Sequence, residues 1–351
     1  MLRKRVGHGS IILFLLVLVM VAGAQSSNGT VNRVFVDSVG RRVSLPSEIT
    51  RIAPSGPMAQ IFLFTVAPDR LVGWSLKPTE EMRNYISAEE ARLPVFGQFY
   101  GSVSNLNLEA LIASEPQVIV DIGEVKKGIR EDMDSIQNRT GIPGVFIKAD
   151  TLDSYGDTYR ALAELLGGPS SVRGQEALAQ AQFCDRTIQW IRDGRKKLDP
   201  SKKVRIYYGE GASGLQTVPA SSLHSQVIEE IGAENVAQIP ITTGAGGNRV
   251  TMEQLFLWDP DMIIFGYGAT AETVKQDPLW KELRAVKAGR VYTIPDAPYG
   301  WFGRPPSVNR IAGLYWLGSL AYPSVYEPSV AQQGLEEFYR LFYHHPLPKG
   351  K

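Results

Sequence analysis

Residues Ser170–Leu198 read SSVRGQEALAQAQFCDRTIQWIRDGRKKL. From Gln175 to Asp193 the stretch holds neither Pro nor Gly, and apolar residues fall at Leu178, Ala181, Cys184, Ile188 and Ile191. Spacings of three and four put that stripe on one face of a helix. Ser170 or Ser171 is placed to cap the start, and Arg192, Arg195, Lys196 and Lys197 suit the negative end of the helix dipole. Fully helical, the stretch would reach roughly 43 Å at 1.5 Å per residue. Most helices inside one domain are shorter. Two readings stay open on this stretch alone: an ordinary surface helix, or a strut joining two lobes.

The flanks decide between them. Upstream, Val34–Val43 alternates around a Ser-Val-Gly turn and reads as a small hairpin. Short apolar strands are expected at 49–53, 70–74, 117–121 and 144–147, with helices from about Met58, from about Leu108, and over 152–166. Downstream the pattern restarts, with strands at 203–208, 262–265 and 290–294 and helical segments at 225–231, 279–283 and 307–320. Short apolar strands alternating with helices predict parallel α/β sheets.

The restart is also visible residue by residue. LNLEALIASEPQVIVD at 106–121 aligns without a gap on VTMEQLFLWDPDMIIF at 250–265. The constant offset sets Glu109 on Glu253, Leu111 on Leu255, Pro116 on Pro260 and Ile119 on Ile263. Two similar Rossmann-like lobes joined by one long rigid helix is the economical reading. The expected division is a leader at 1–24, an N-terminal lobe at 25–168, the joining helix at 169–199 and a C-terminal lobe at 200–351.

Composition bounds what such a chain does. Its 351 residues are 44% hydrophobic, enough for two cores, and the net charge of +1 argues for neither nucleic acid nor an anionic membrane. A single cysteine, Cys184, rules out an internal disulfide. Beyond the leader only His224, His344 and His345 remain as histidines, so a histidine-rich metal centre is not expected. Arg3, Lys4 and Arg5 precede an apolar run at 11–21 and the small residues Ala22-Gly23-Ala24, the pattern of a signal peptide cut after Ala24. The run is short for a membrane anchor, and no cysteine follows for lipidation. The expected location is therefore periplasmic.

These residues resemble the extracytoplasmic substrate-binding proteins of ABC importers for iron complexes, haem and cobalamin. The opening DSVGRRVSLPSEITRIAPSGPMAQIFLFTVAPDRLVGW, the paired NLEAL…EPQVIV and TMEQL…DPDMIIF, and Trp301-Phe302-Gly303-Arg304 carry the resemblance. It implies two α/β lobes bridged by one helix, with the ligand in the cleft between them and little opening motion. It also implies a permease partner with its cytoplasmic ATPase, docked through one glutamate per lobe, Glu109 and Glu253. A carboxylate in a helix's first turn also has the simpler role of favouring the dipole by ~0.3–1 kcal/mol. No cofactor is expected, only a transported metal complex or an oxyanion such as molybdate or tungstate. The chain is expected to act as a monomer.

In open α/β sheets the ligand lies beyond the carboxyl ends of the strands. That places Ser55 and Gly56, then Gln98 and Tyr100, then Tyr208 through Gln216, then Trp301, Phe302 and Arg304 at the cleft. Arg304, braced by Pro305 and Pro306, suits bidentate grip on an anion, with a surface salt bridge as its simpler role. Trp301 and Phe302 either stack on a ligand or pack the lobe edge, and Tyr100 either ligates iron or lines the cleft. Gly209-Glu210-Gly211-Ala212-Ser213-Gly214 spells a dinucleotide fingerprint, but the turn-rich run after it gives no helix start to meet a pyrophosphate. No GxSxG elbow is present, and His224, without a local partner, suits a helix cap or cleft wall better than a general base. An iron–sulfur enzyme on a similar scaffold would need clustered cysteines. Binding without chemistry is the expected activity.

Overall fold

Alternation over 32–46 builds an antiparallel hairpin, β1 (Asn32–Val36) and β2 (Arg42–Pro46), whose Phe35, Val43 and Leu45 turn inward. The computed structural model describes residues 32–99, 105–242 and 247–348. The expected signal peptide and its cut after Ala24, and Tyr100, lie outside the described residues.

The first lobe continues through β3 (Ile52–Pro54), α1 (Pro57–Val66), α2 (Leu108–Ala113), β4 (Val118–Gly123), α3 (Ile129–Thr140), β5 (Gly144–Lys148) and α4 (Tyr155–Leu165). Strands β3, β4 and β5 pair in parallel in that order. Next comes α5 (Val172–Arg195), then β6 (Arg205–Glu210), β7 (Gln216–Thr217), α6 (Gln226–Glu230), β8 (Glu234–Asn235), β9 (Asn248–Arg249), α7 (Met252–Trp258) and β10 (Met262–Phe265). The chain closes with α8 (Ala271–Lys275), α9 (Arg284–Lys287), β11 (Val291–Thr293), α10 (Asn309–Ala321) and α11 (Pro328–Phe342). The second sheet runs β11-β10-β6-β7-β9, with β8 parallel beside β6.

The repeat read from sequence is a repeat of structure. The order β5-β4-β3 in the first sheet is matched by β11-β10-β6 in the second. Leu71 bridges in parallel onto Ile52 where β8 pairs with β6. Helices α2 and α7 are capped alike, Asn107 accepting from the Ala110 N–H and Thr251 from the Gln254 N–H. Each is followed by an acid in the left-handed region, Glu115 at φ 44° and Asp259 at φ 38°, just before Pro116 and Pro260. The alignment therefore holds down to backbone conformation.

Three features differ from expectation. Residues 70–74 form no strand: Pro68–Arg70 is a 3₁₀ turn, and Leu71 and Trp74 make only isolated bridges. The chain leaves the sheet there so that Trp74 buries and its Nε1 donates to Glu90 O at 2.8 Å. Helix α3 was not anticipated because only Ile129, Met133 and Ile136 of its twelve residues are buried. Helix α11 was readable from Ala331, Leu335, Phe338 and Phe342, a stripe at spacings of four, three and four.

Ser171 caps α5, its Oγ accepting from the Gly174 N–H at 2.9 Å. The buried face of α5 is wider than the predicted stripe, because Gly174, Ala177, Gln180, Phe183 and Thr187 are buried as well. α4 and α1 pack on one flank and α10 and α11 on the other. Gln180 Nε2 donates to Thr65 O of α1 at 2.5 Å and to Leu341 O of α11 at 3.2 Å. Phe342 sets its edge against Tyr159 of α4 and Tyr343 lies against Phe64 of α1. Thus α5 carries the chain between lobes, while α11 returns to cover both. A single hydrophobic core runs through this layer.

Arg310 of α10 is fully buried and reaches into the first lobe. Its Nε donates to the Tyr155 hydroxyl at 2.8 Å, with Nη2 on the same oxygen, and Nη1 donates to Leu223 O at 3.0 Å and Gln226 Oε1 at 2.9 Å. Every one of these partners is neutral. Replacing Tyr155 by Phe keeps the ring against Phe62 but strands a buried charged donor, which costs about 1–3 kcal/mol. Denaturant unfolding of Tyr155→Phe checks this; a loss below about 0.5 kcal/mol would show the link to be unimportant.

Glu229 of α6 gives a pH test. Both its carboxylate oxygens are buried without a hydrogen-bond partner, and burial pushes its pKa from the ordinary 4.5 up to about 7. The folded protein therefore keeps a proton that the unfolded chain releases as pH rises from 4.5 to about 7. This group's stabilisation is full below the lower value and falls away through the upper one, by an amount on the order of 3 kcal/mol. Glu229→Gln should flatten the fall of Tm between about pH 5 and 8 and be the more stable protein at the alkaline end.

Candidate functional site

Parallel strands deliver their following loops to one edge of each sheet. In the first lobe that edge carries Ser55 after β3 and Asp121 within β4. Ser55 is buried, its Oγ donates to Asp121 Oδ1 at 2.5 Å, and its carbonyl accepts from the Phe99 N–H at 3.0 Å. Burial pushes the Asp121 carboxyl up, with the Ser55 hydrogen bond opposing. Gly56 is the N-cap of α1, in extended backbone, with no side-chain cap.

Between the lobes lies a cavity of about 570 Å³. Its first-lobe wall is made by Pro57 and Gln60 of α1 and by Leu76, Lys77, Thr79 and Met82 from the excursion that follows Trp74. Its second-lobe wall is made by Tyr208, Tyr267, Tyr299, Phe302 and Arg304, with Gly266, Gly268 and Gly300 between them. Gln60 ties the walls together. Its Oε1 accepts from Ser75 N, Ser75 Oγ and Leu76 N at 2.7, 2.9 and 2.8 Å, and its Nε2 donates to the Tyr299 hydroxyl at 3.0 Å. One buried amide thus holds both the excursion and the opposite lobe.

The charged centre of the second wall is a fork. Arg304 Nε and Nη2 each donate to a different oxygen of Glu210, both at 2.7 Å, with the Glu210 side chain 1% exposed. Burial alone would lower the guanidinium's pKa, and the hydrogen bonds and charge of Glu210 more than offset it. Burial, then the nearby Glu210 charge, drive the Tyr208 phenol well above its usual range, so it stays protonated. The Tyr267 ring stacks over the guanidinium at 5.1 Å from its centroid. His224 lies behind this wall with Nδ1 on Gly303 O, and burial pushes its pKa down, so it is a neutral prop.

The cavity gathers three of the sequence-predicted residues: Tyr208, Phe302 and Arg304. Trp301 is fully buried instead, its Nε1 donating to the Tyr339 hydroxyl at 3.1 Å, and it packs behind the wall. Ser55, Gly56 and Gln98 collect at the neighbouring edge of the first lobe and do not line this cavity. Gln98 is half-buried, with its backbone N–H on Asn105 Oδ1. Gln216 stands opposite Glu210 in the β6–β7 ladder, beside the fork rather than in it. That hairpin also departs from the dinucleotide fingerprint: after the glycine-rich run the chain turns back as a strand and not into a helix N-terminus. Glu109 and Glu253 are exposed at matched positions on α2 and α7, away from the cavity lining.

Sequence reasoning missed Gln60, Lys77 and Tyr267. Tyr267 had a usable signal, since it stands two residues beyond the carboxyl end of β10. Glu210 falls within the Tyr208–Gln216 stretch expected at the cleft, but its pairing with Arg304 was not readable there. Gln60 and Lys77 had none, because neither stands at a strand end.

With that geometry in place, the likenesses to known proteins are informative. The periplasmic binding protein family matches residues 68–298. A solute-binding protein of an ABC transporter from Sulfurospirillum deleyianum superposes with a TM-score of 0.80 at 28% identity, covering 90% of this chain and 97% of that one. The molybdate-binding protein MolA of Haemophilus influenzae is 24% identical over 349 residues, 93% of this chain and 95% of its own. The Fe(3+)-citrate-binding protein YfmC of Bacillus subtilis is 26% identical over 198 residues, 55% of this chain and 58% of its own. By its sequence over most of its length and by its two-lobed architecture, the chain belongs to the periplasmic binding proteins that serve ABC importers as their solute-binding components.

Proposed function

We propose that this protein captures a metal ion wrapped in an organic chelate, of the ferric siderophore, haem or cobalamin type, and delivers it to an importer's permease. The size of the interlobe cavity carries this reading. At about 570 Å³ it suits an organic ligand. A tetrahedral oxyanion fills only a few water volumes of ~30 Å³ each. The wall is also largely aromatic and aliphatic, whereas a small anion needs converging donors. Among the described residues no histidine lines the cavity, which favours a ferric chelate over haem.

The oxyanion reading is the alternative, and the nearly full-length likeness to a molybdate-binding protein supports it. Against it, the best anion donor, Arg304, is already gripped by Glu210, and that carboxylate repels an oxyanion. A periplasmic location after cleavage at Ala24, and lobes spanning 25–168 and 200–351 about a joining helix at 169–199, belong to the same proposal. So does a monomer that binds and releases its ligand unchanged, without a cofactor of its own.

Trp316 sets its ring edge-on against the cavity-lining Phe302, centroids 6.0 Å apart, so tryptophan fluorescence reports on the cavity. Titration with ferric chelates, haem, cobalamin and molybdate should give saturable quenching by a chelate and none by molybdate; the reverse result overturns the proposal. Arg304→Ala should weaken the binder at least ~10-fold, about 1.4 kcal/mol.

Delivery is assigned to Glu109 and Glu253, exposed carboxylates repeated on the two lobes at one structural position. Glu253 is held below the usual carboxylate range by its own backbone N–H and by Thr251, so it is charged at neutral pH. Changing both to Ala should leave ligand affinity unaltered and abolish uptake in cells. Lost affinity with intact uptake would show that these residues do not dock.

A further inference from the structure

Strand β10 ends at Phe265, and Gly266-Tyr267-Gly268 turns the chain into the second-lobe wall. Tyr267 lies at φ 44°. That left-handed conformation is uncommon for a bulky side chain and persists only where surrounding structure enforces it. Here the Gly211 N–H enforces it, donating to Tyr267 O at 2.9 Å. Glycine would take the same turn without strain, as its neighbour Gly268 does at φ 88°.

The ring gains no burial in return. Tyr267 is 71% exposed, among the most open large aromatic or aliphatic side chains described. Residues strained for packing are normally covered, and strain at an open cleft position points to a partner from outside the fold. The Arg304 guanidinium sits 5.1 Å from the ring centroid and is itself locked by both oxygens of Glu210. The plane of the ring is therefore set before any ligand arrives. A cation against one face draws π density toward itself. The open face then prefers an electron-rich ring in an offset stack.

We infer that Tyr267 is a pre-set stacking platform for a planar, electron-rich chelating ring, so that the ligand of this cleft bears aryl arms of the catecholate kind. This rests on the metal-complex reading of the cavity and narrows it from any organic chelate to one that stacks. With Arg304 on one face, the 71% exposure of Tyr267 leaves the rest of the ring open to such an arm. Leu76, Lys77, Thr79 and Glu81 line the first-lobe side of the same cavity, where Lys77 supplies a cation suited to a phenolate oxygen.

The test titrates the whole mature protein with ferric 2,3-dihydroxybenzoate and, separately, with ferric citrate, which lacks rings. The unaltered protein should favour the catecholate complex. Tyr267→Ala should weaken that complex about 10-fold while changing citrate binding less than about two-fold, and Tyr267→Phe should retain most of the affinity. Tyr267→Gly should lose catecholate binding to the same degree yet melt no lower than the unaltered protein, since the strained turn is relieved. That separates a ligand role from a folding role. Equal weakening of both complexes, or no effect of Tyr267→Ala, overturns the inference. Binding of citrate alone overturns it while leaving the metal-complex reading standing. Binding of neither overturns the inference, and the metal-complex reading falls with it if haem and cobalamin also fail to bind.

Discussion

A buried guanidinium whose hydrogen bonds run to neutral oxygens holds the two lobes in register. Arg310 lies at the start of α10, immediately after the loop that carries Tyr299, Phe302 and Arg304, and fastens that helix to Tyr155 on the first lobe. Its other donors end on Leu223 and Gln226 of the second lobe. A charge taken out of water tolerates little rearrangement, because each broken hydrogen bond leaves a desolvated donor. The cleft loop therefore inherits a fixed position relative to both lobes. Gln60 repeats the device at the cavity itself, one buried amide satisfying the excursion on one side and Tyr299 on the other. Between these two ties, the walls of the cavity are built to stay close to one spacing.

The layer behind the cavity explains why such ties suffice. Helix α5 alone would be a rod between lobes, free to bend at its ends. Instead α11 returns across it, and Phe338, Phe342 and Tyr343 mesh with Phe183, Tyr159 and Phe64. Gly194 and Gly334 permit the close approach on either side, since a methyl group at each would fall 2.1 and 2.3 Å from the rings of Tyr326 and Tyr315. Opening the cleft would expose this aromatic seam, at ~25 cal/mol for each Å² of apolar surface. The packing of this layer thus resists a change in the spacing of the lobes.

Within the pocket, the fork of Arg304 and Glu210 does not behave as a spare anion grip. Bidentate pairing with a buried carboxylate neutralises it and turns it into scaffolding for Tyr267. The chemistry on offer is then shape, aromatic surface and phenolic hydroxyls, with Lys77, Glu81 and Asp296 as further charged groups in the lining. Those are the means for recognising a large, partly organic ligand, and they differ from the converging N–H groups that a small oxyanion demands.

Much of this architecture was legible before the structure. The 144-residue repeat read from 106–121 and 250–265 carries local rules, helix caps, an acid turned left-handed before proline, and an apolar strand, and local rules act within a few residues. The amphipathic stripe of α5 and the hairpin at 32–46 are legible for the same reason. Helix α11 carries its own legible stripe of Ala331, Leu335, Phe338 and Phe342, while α3 is masked by its polar face. The site was another matter. Arg304, Phe302 and Tyr208 follow from the strand-end rule, but which neighbour each meets does not. Sequence could not show that Glu210, ninety-four residues away, occupies Arg304, that of two buried neighbours Phe302 lines the cavity and Trp301 does not, or that Gln60 spans the cleft. Those outcomes depend on long-range packing, where a small rotation of a loop decides which buried ring borders the cavity. Sequence alone determined the two lobes and their join; only the tertiary structure decided which side chains face the cavity, because facing is a property of contacts made across the chain.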